Sequence, residues 1–213
     1  MKGLLLKDAY QAWYYAKMVV VAAVVMMGVG VISMMNGANF FIVYAGFLLG
    51  MMPMTLLAYD QTSKFNEYSA ALPATKEQLV GCKYIVGLCG LVLAEAFAAA
   101  ALGVAQLHWG TVSVQITVAT LIQVAMLTLL DNIILLPLFY RFGYEKAKYV
   151  YYLSIGMLGS FMGYSVSSGD SALDSILPAQ GLLLVLVVVL AVVLTLYALS
   201  WRLSVAWYGK AEQ

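Results

Sequence analysis

The chain has 213 residues, 64% hydrophobic and 10% charged, against about 45–50% apolar and about 25% charged in soluble domains. That balance excludes a water-soluble domain, and because the apolar residues lie in long runs, the solvent they require is lipid. A net charge of +1 leaves no bulk attraction to nucleic acid, so what matters is where the eleven cations fall.

At 100° per residue, Leu5, Leu6, Ala9, Ala12, Trp13 and Ala16 share one face of an opening helix, and Lys7, Asp8 and Gln11 share the other. This pattern predicts an amphipathic helix lying in the interface plane before the chain turns inward. The same pattern also fits the end of a long first spanning helix. Its basic flank reads as an uncleaved anchor.

Six apolar runs follow: Met18–Met35, Phe40–Tyr59, Tyr84–Leu107, Val112–Leu138, Tyr149–Val166 and Gly181–Trp201. Each is long and apolar enough to cross the hydrocarbon core, which takes roughly 20 helical residues. None shows the alternation of barrel strands, and backbone groups cannot go unpaired in lipid, so the runs are expected to be helices. The predicted fold is an all-α integral membrane bundle of six transmembrane helices. No repeat, low-complexity tract or composition shift divides it, and residues 1–213 form one expected domain.

Lys2, Lys7 and Lys17 precede the first run, and Lys64, Lys76 and Lys83 fall between the second and third. Arg141, Lys146 and Lys148 lie between the fourth and fifth, and Arg202 and Lys210 at or after the end of the sixth. All eleven therefore share one side, whereas Asn36–Asn39, His108–Thr111 and Ser167–Gln180 carry no Lys or Arg, and the last holds Asp170 and Asp174. The positive-inside bias makes both termini cytosolic. Trp13, Tyr149, Tyr151, Tyr152, Trp201 and Trp207 would form the cytosolic aromatic belt, with Trp109 on the outer side.

No glycine-rich loop ends in Lys-Ser/Thr, so the chain has no site of its own for ATP. His108 is the one histidine, which leaves no set for a catalytic triad or an HExxH zinc site inside the membrane. Cys82 and Cys89, seven apart, match neither a metal spacing nor a disulfide framework. No catalytic residue, metal ligand or cofactor is expected.

Two carboxylates fall within the apolar runs, Glu95 midway along the third and Asp131 in the cytosolic third of the fourth. Ionisable groups at membrane depth are costly and mark functional candidates. Glu95 sits among Ala94, Ala96 and Ala98–Ala101, small residues that let another helix approach. Each acid reads either as a cavity group for a cationic part of a substrate or as a protonated, hydrogen-bonded carboxyl between helices. Asp131 can borrow Thr128 three residues earlier, or reach cations near the cytosolic surface. Gly46/Gly50 and Gly159/Gly163 are small-xxx-small pairs suited to close crossings, within the chain or between subunits.

The loop between the second and third runs carries Leu72-Pro73-Ala-Thr75-Lys76-Glu77-Gln78-Leu79-Val80, ahead of Lys83 and Tyr84. Pro73 ends one element, and Thr75 with Gln78 three residues later fits a capping box, so a short helix should start there and run into the third span. With Leu72, Leu79 and Val80 on or beside it, such a helix suits the groove of a partner protein.

Four stretches of the chain together resemble the bacterial type-2 ABC transporter permeases of the short six-span kind. The first is Met1-Lys-Gly-Leu-Leu-Leu-Lys-Asp8, and the second is the acid-and-lysine stretch Asp60–Pro73 leading to Leu-Pro. Thr75, Lys76, Val80, Lys83 and Tyr84 form the third, and Pro137, Tyr140, Phe142, Gly143, Glu145 and Lys146 the fourth. Lys76 departs from the arginine often found there, which weakens any bidentate contact.

The resemblance implies a permease subunit in the bacterial cytoplasmic membrane, working with a separate ABC ATP-binding subunit and a second permease copy as a homodimer or heterodimer. The opening helix would be the elbow, and a short coupling helix around Leu72, Pro73, Thr75, Lys76, Glu77, Leu79, Val80 and Lys83 would seat in the ATPase. The second cytosolic loop, with Arg141, Gly143, Glu145 and Lys146, accompanies it. Members of that family are associated with export of, or resistance to, antimicrobial peptides, toxins or other amphiphiles such as drugs. A non-transporting immunity or scaffold protein of the membrane is the competing reading.

Overall fold

The computed structural model describes residues 2–15, 17–34, 39–65, 75–110, 112–143, 146–147, 149–150, 152–153, 156 and 182–211. The elements are α1 (Lys2–Tyr15), α2 (Lys17–Ser33), α3 (Phe40–Gly50), α4 (Met52–Thr62), α5 (Lys76–Trp109), α6 (Val114–Phe142) and α7 (Leu182–Ala211). The described residues contain no strand, as lipid solvation requires of a chain without barrel patterning.

Four helical stretches are long and apolar enough to cross a membrane: Phe40–Thr62, Lys76–Trp109, Ile116–Phe142 and Ala191–Tyr208. A fifth is possible if Gly3–Tyr14 and Lys17–Ser33, which meet at 58°, are taken as one bent span. The chain is thus a multi-pass membrane protein. Four of the six predicted runs overlap these stretches, Gly181–Trp201 only in its second half, and Met18–Met35 corresponds to the 17-residue α2. The predicted span Tyr149–Val166 falls almost wholly outside the described residues, as do Leu72, Pro73, Glu145, Gly159/Gly163 and the stretch holding Asp170 and Asp174.

The helix predicted after Pro73 runs into the third span without a break, so it is not a separate coupling helix. Lys76–Trp109 is one helix of 34 residues. At 1.5 Å per residue it is about 51 Å long, against a hydrocarbon core of about 30 Å. Part of it must therefore project from the membrane. At its far end Gly110 adopts φ +63°, a left-handed turn that glycine takes without Cβ strain, and its N–H bonds Gln106 O at 3.0 Å. Ser113 then caps α6 by accepting from Ile116 N.

Two prolines interrupt backbone pairing, and at each break a side chain from another helix bonds a nearby carbonyl. Pro53 cannot donate, so the Phe40–Thr62 stretch breaks at Met51 into α3 and α4. At this break Asn132 Nδ2 of α6 donates to Gly50 O at 3.3 Å. Pro137 sits inside α6 and removes the donor for Ile133 O, four residues earlier. Ser200 Oγ of α7 replaces it, donating to Ile133 O at 2.8 Å.

Small residues set the closest crossings. A Cβ on Gly46 would lie 2.5 Å from Val124, and one on Gly50 would lie 2.5 Å from Thr128. The Gly46/Gly50 pair therefore serves a crossing of α3 with α6 inside the chain. One apolar cluster joins α2, α3, α5 and α6 around Ile42, Ala94, Ala98 and Val124. A second joins α4, α5, α6 and α7 around Leu57, Val80, Leu136 and Tyr197.

Candidate functional site

The start of α5 carries the capping box that the sequence predicts. Thr75, in an extended conformation with ψ 153°, accepts from Gln78 N at 3.3 Å, and Gln78 Oε1 accepts from Thr75 N at 3.4 Å. Glu77 in the first turn complements the positive end of the helix dipole. Thr75, Lys76 and Glu77 are exposed, and Leu79 is half-buried. Val80 and Lys83 differ from expectation. Val80 is fully buried in the apolar cluster with Leu57 and Leu136, and Lys83 is 5% exposed. Because the turn continues into a long helix, the packing of that helix sets its phase and points these two side chains inward. Among the described residues of this segment, Thr75, Lys76, Glu77 and Leu79 are the ones with side-chain surface outside the core.

Lys83 instead enters a group of four charges, three of them buried. Its Nζ donates to Asp8 Oδ1 of α1 at 2.7 Å and pairs with Asp60 Oδ2 of α4 at 2.6 Å. Lys7 Nζ donates to Asp60 Oδ1 at 2.5 Å and lies 3.2 Å from Asp8 Oδ1. Phe65 covers the Lys7 ammonium, 3.6 Å from the ring centroid. Asp8 and Asp60 are 2% and 3% exposed. Signs alternate around the square, two cations with two anions, so each buried charge faces only opposite neighbours. Such groups are tolerated away from water when every member is paired.

The square also explains how α1 sits. Asp8 of its polar face is buried against the bundle, whereas Leu6 and Trp13 of its apolar face are 59% and 84% exposed. In lipid this is the stable orientation, with charge turned toward protein and aromatic surface outward. In the sequence Lys7 and Asp8 stand apart from Asp60 and Lys83, which lie 53 and 75 residues further along the chain. The signal was present in Lys83, a lysine already inside a capped apolar helix.

Next to Lys83, Tyr84 joins α5 to α7. Its hydroxyl lies 2.7 Å from Ser200 Oγ and 2.8 Å from Ser204 Oγ, and its carbonyl accepts from Tyr197 Oη at 2.7 Å. Since Ser200 spends its proton on Ile133 O, donation runs from Ser204 to Tyr84 to Ser200 to that carbonyl.

The second cytosolic loop is described in part. Gly143 ends α6 at φ +77°, and its N–H bonds Phe139 O at 2.8 Å. Arg141 is exposed and stacks on Phe142 and Trp207, 5.0 and 4.9 Å from the ring centroids. Lys146 is exposed.

Glu95 is half-buried on α5, and its Oε1 is shielded without a partner among the described residues. Ala94 and Ala98 beside it are fully buried, so the small residues do admit a neighbouring helix. Asp131 is 6% exposed. The predicted bond with Thr128 is absent: Thr128 Oγ1 and Asp131 Oδ2 both lack partners among the described residues. Thr128 turns its methyl and hydroxyl toward Gly50 of α3 instead, away from that pairing. No cluster of His, Cys, Asp and Glu able to hold a metal occurs among the described residues. A groove between α2 and α5, lined by Val24, Met27, Val31, Phe97 and Val104 among others, offers only apolar side chains.

A family model described as ABC-2 family transporter protein matches residues 3–209. No curated protein and no solved structure matches the chain significantly.

Proposed function

This chain belongs to the ABC-2 family of transporter proteins, and on that premise we propose that it is the permease subunit of an ATP-driven exporter. It works with a separate ATP-binding subunit and a second permease copy, homodimeric or heterodimeric, and moves an amphiphilic substrate such as an antimicrobial peptide, toxin or drug. It spans the bacterial cytoplasmic membrane six times with both termini cytosolic, a topology supported by the confinement of all eleven cations to one set of loops.

The observation that carries this reading is the capped start of α5. A helix of about 51 Å projects beyond a core of about 30 Å, and the projecting end displays Thr75, Lys76, Glu77 and Leu79. That end is continuous with Glu95 and the middle of the bundle, so a tilt imposed on the first turn is passed along a rigid rod. Leu72 and Pro73 before it, and Arg141, Gly143, Glu145 and Lys146 at the second loop, complete the contact with the ATP-binding subunit. Val80 and Lys83 support that surface from within. Glu95 and Asp131 are the acids available to a cationic part of the substrate.

Co-expression with the ATP-binding subunit encoded beside it, followed by reconstitution in liposomes, tests the proposal. Wild type should co-purify with that subunit and hydrolyse ATP, and Leu79→Asp should lose the association. Absence of a complex with the wild-type chain would end the exporter reading.

A further inference from the structure

We propose that Asp8 and Asp60 are positioning residues that, through Lys83, make α1 and the start of α5 move as one body. The inference rests on reading the first turn of α5 as the ATPase contact, and it adds to that reading a second moving element and the groups that join it.

Lys83 lies two turns from the capped end of α5, close enough that the direction of its backbone is the direction of the exposed turn. Its ammonium is held at 2.7 Å by a carboxylate on α1 and at 2.6 Å by one on α4. Both carboxylates are almost wholly buried, as is the Lys83 side chain, at 6% exposed. In such surroundings a hydrogen-bonded ion pair does not exchange readily for water, because separating it leaves each charge uncompensated in a low dielectric. Lys7 closes the square from α1, reaching Asp60 and backed by Phe65. α1 therefore holds on to α5 through Asp8 and to α4 through Lys7, in both cases by an ion pair.

The apolar surface of α1 points the other way. Tyr10, Trp13 and Tyr14 are 68%, 84% and 64% exposed, and these are side chains that settle at a lipid interface. α1 is thus tied to protein by its charged face and to the membrane surface by its aromatic one. When the first turn of α5 tilts, the square obliges α1 to follow and displace interfacial lipid. If the square were absent, α5 would tilt and α1 would stay with the lipid.

Spin labels on the exposed positions Gly3 and Glu77, in the full chain with Cys82 and Cys89 replaced by Ala, read this coupling as a distance distribution by pulsed electron resonance. In the purified chain alone, wild type and Lys83→Arg should give a narrow distribution, and Asp8→Asn/Asp60→Asn one at least twice as wide. Should the double variant misfold, Asp8→Asn serves, since Lys83 keeps Asp60 and only the tie to α1 weakens. A residue that merely stabilises the fold would lower the melting temperature and leave the distance distribution of folded molecules unchanged. With the ATP-binding subunit present, adding ATP should leave the 3–77 distance of wild type unchanged and shift that of the Asn variants. A wild-type distance that changes with ATP, or Asn variants as narrow as wild type, would overturn the proposal. If no ATP-binding subunit associates with wild type, the transporter reading fails, and the widths measured in the chain alone still decide whether the square holds α1.

Discussion

Replacing Ser200 by Ala is expected to destabilise the bundle through one carbonyl in particular. Pro137 has no N–H, so Ile133 O depends on the Ser200 hydroxyl at 2.8 Å. The Tyr84 proton that Ser200 accepted can turn to Ser204, 2.8 Å away, so the main loss is a single orphaned backbone acceptor. Leaving a buried acceptor unpaired costs about 1–3 kcal/mol. Single hydrogen bonds in membrane bundles measure lower, near 0.6 and at most about 1.7 kcal/mol. An expectation of about 1–2 kcal/mol follows. The structure makes a second, sharper demand. In a Pro137→Ala background, residue 137 again carries an N–H that can pair with Ile133 O, and Ser200→Ala should then cost less than about 0.5 kcal/mol, the remainder being its bond to Tyr84. Equilibrium unfolding of the four proteins in detergent micelles completes the double-mutant cycle, with a coupling of roughly 1 kcal/mol as the prediction. Equal costs of Ser200→Ala in both backgrounds would refute the idea that α7 mends the proline gap of α6.

Asn132→Leu, which keeps the volume but removes the amide donor to Gly50 O, should lower stability by about 1–3 kcal/mol in the same unfolding assay. Gly90→Ala places a Cβ 3.0 Å from the backbone oxygen of Leu49 and should cost about 1–3 kcal/mol, whereas at Gly28 no atom lies within 4 Å and Ala should be neutral; paired melting curves check both. Lys83→Met removes the buried cation shared by Asp8 and Asp60, leaving the two acids only Lys7, and should cost about 3–5 kcal/mol, while Lys83→Arg loses far less, as measured by thermal inactivation in micelles. A membrane-impermeant thiol reagent should label Ser171→Cys in intact cells; protection there would reverse the proposed orientation.

Helical class and the positions of four apolar runs were legible because lipid leaves the backbone few choices, and a run such as Tyr84–Leu107 has one reading in that solvent. The Thr75–Gln78 box was equally legible, being local: hydroxyl, spacing and helix start all lie within four residues. The direction in which Val80 and Lys83 point was not, since it depends on the rotation of a 34-residue helix, which is set by contacts with α4, α6 and α7 far along the chain. The same holds for Asp8 and Asp60. As sequence they read as a polar face and a loop acid, and only folding places both against one lysine. α1 was legible as amphipathic, but not which of its faces would meet the bundle. Asp131 and Thr128 show the reverse failure: a local pairing that sequence spacing favours is lost because Gly50 opens a closer seat for the threonine.

The exporter account depends on the first turn of α5 touching the ATP-binding subunit, and a photoreactive amino acid placed at Glu77 reads that contact directly. Irradiation of the co-expressed complex should join residue 77 to the ATP-binding subunit. The same probe at Val92, an exposed residue four turns further along the helix and within the apolar stretch, should capture no ATP-binding chain. Equal capture at both positions, or none at 77 in a complex that forms and hydrolyses ATP, would contradict it.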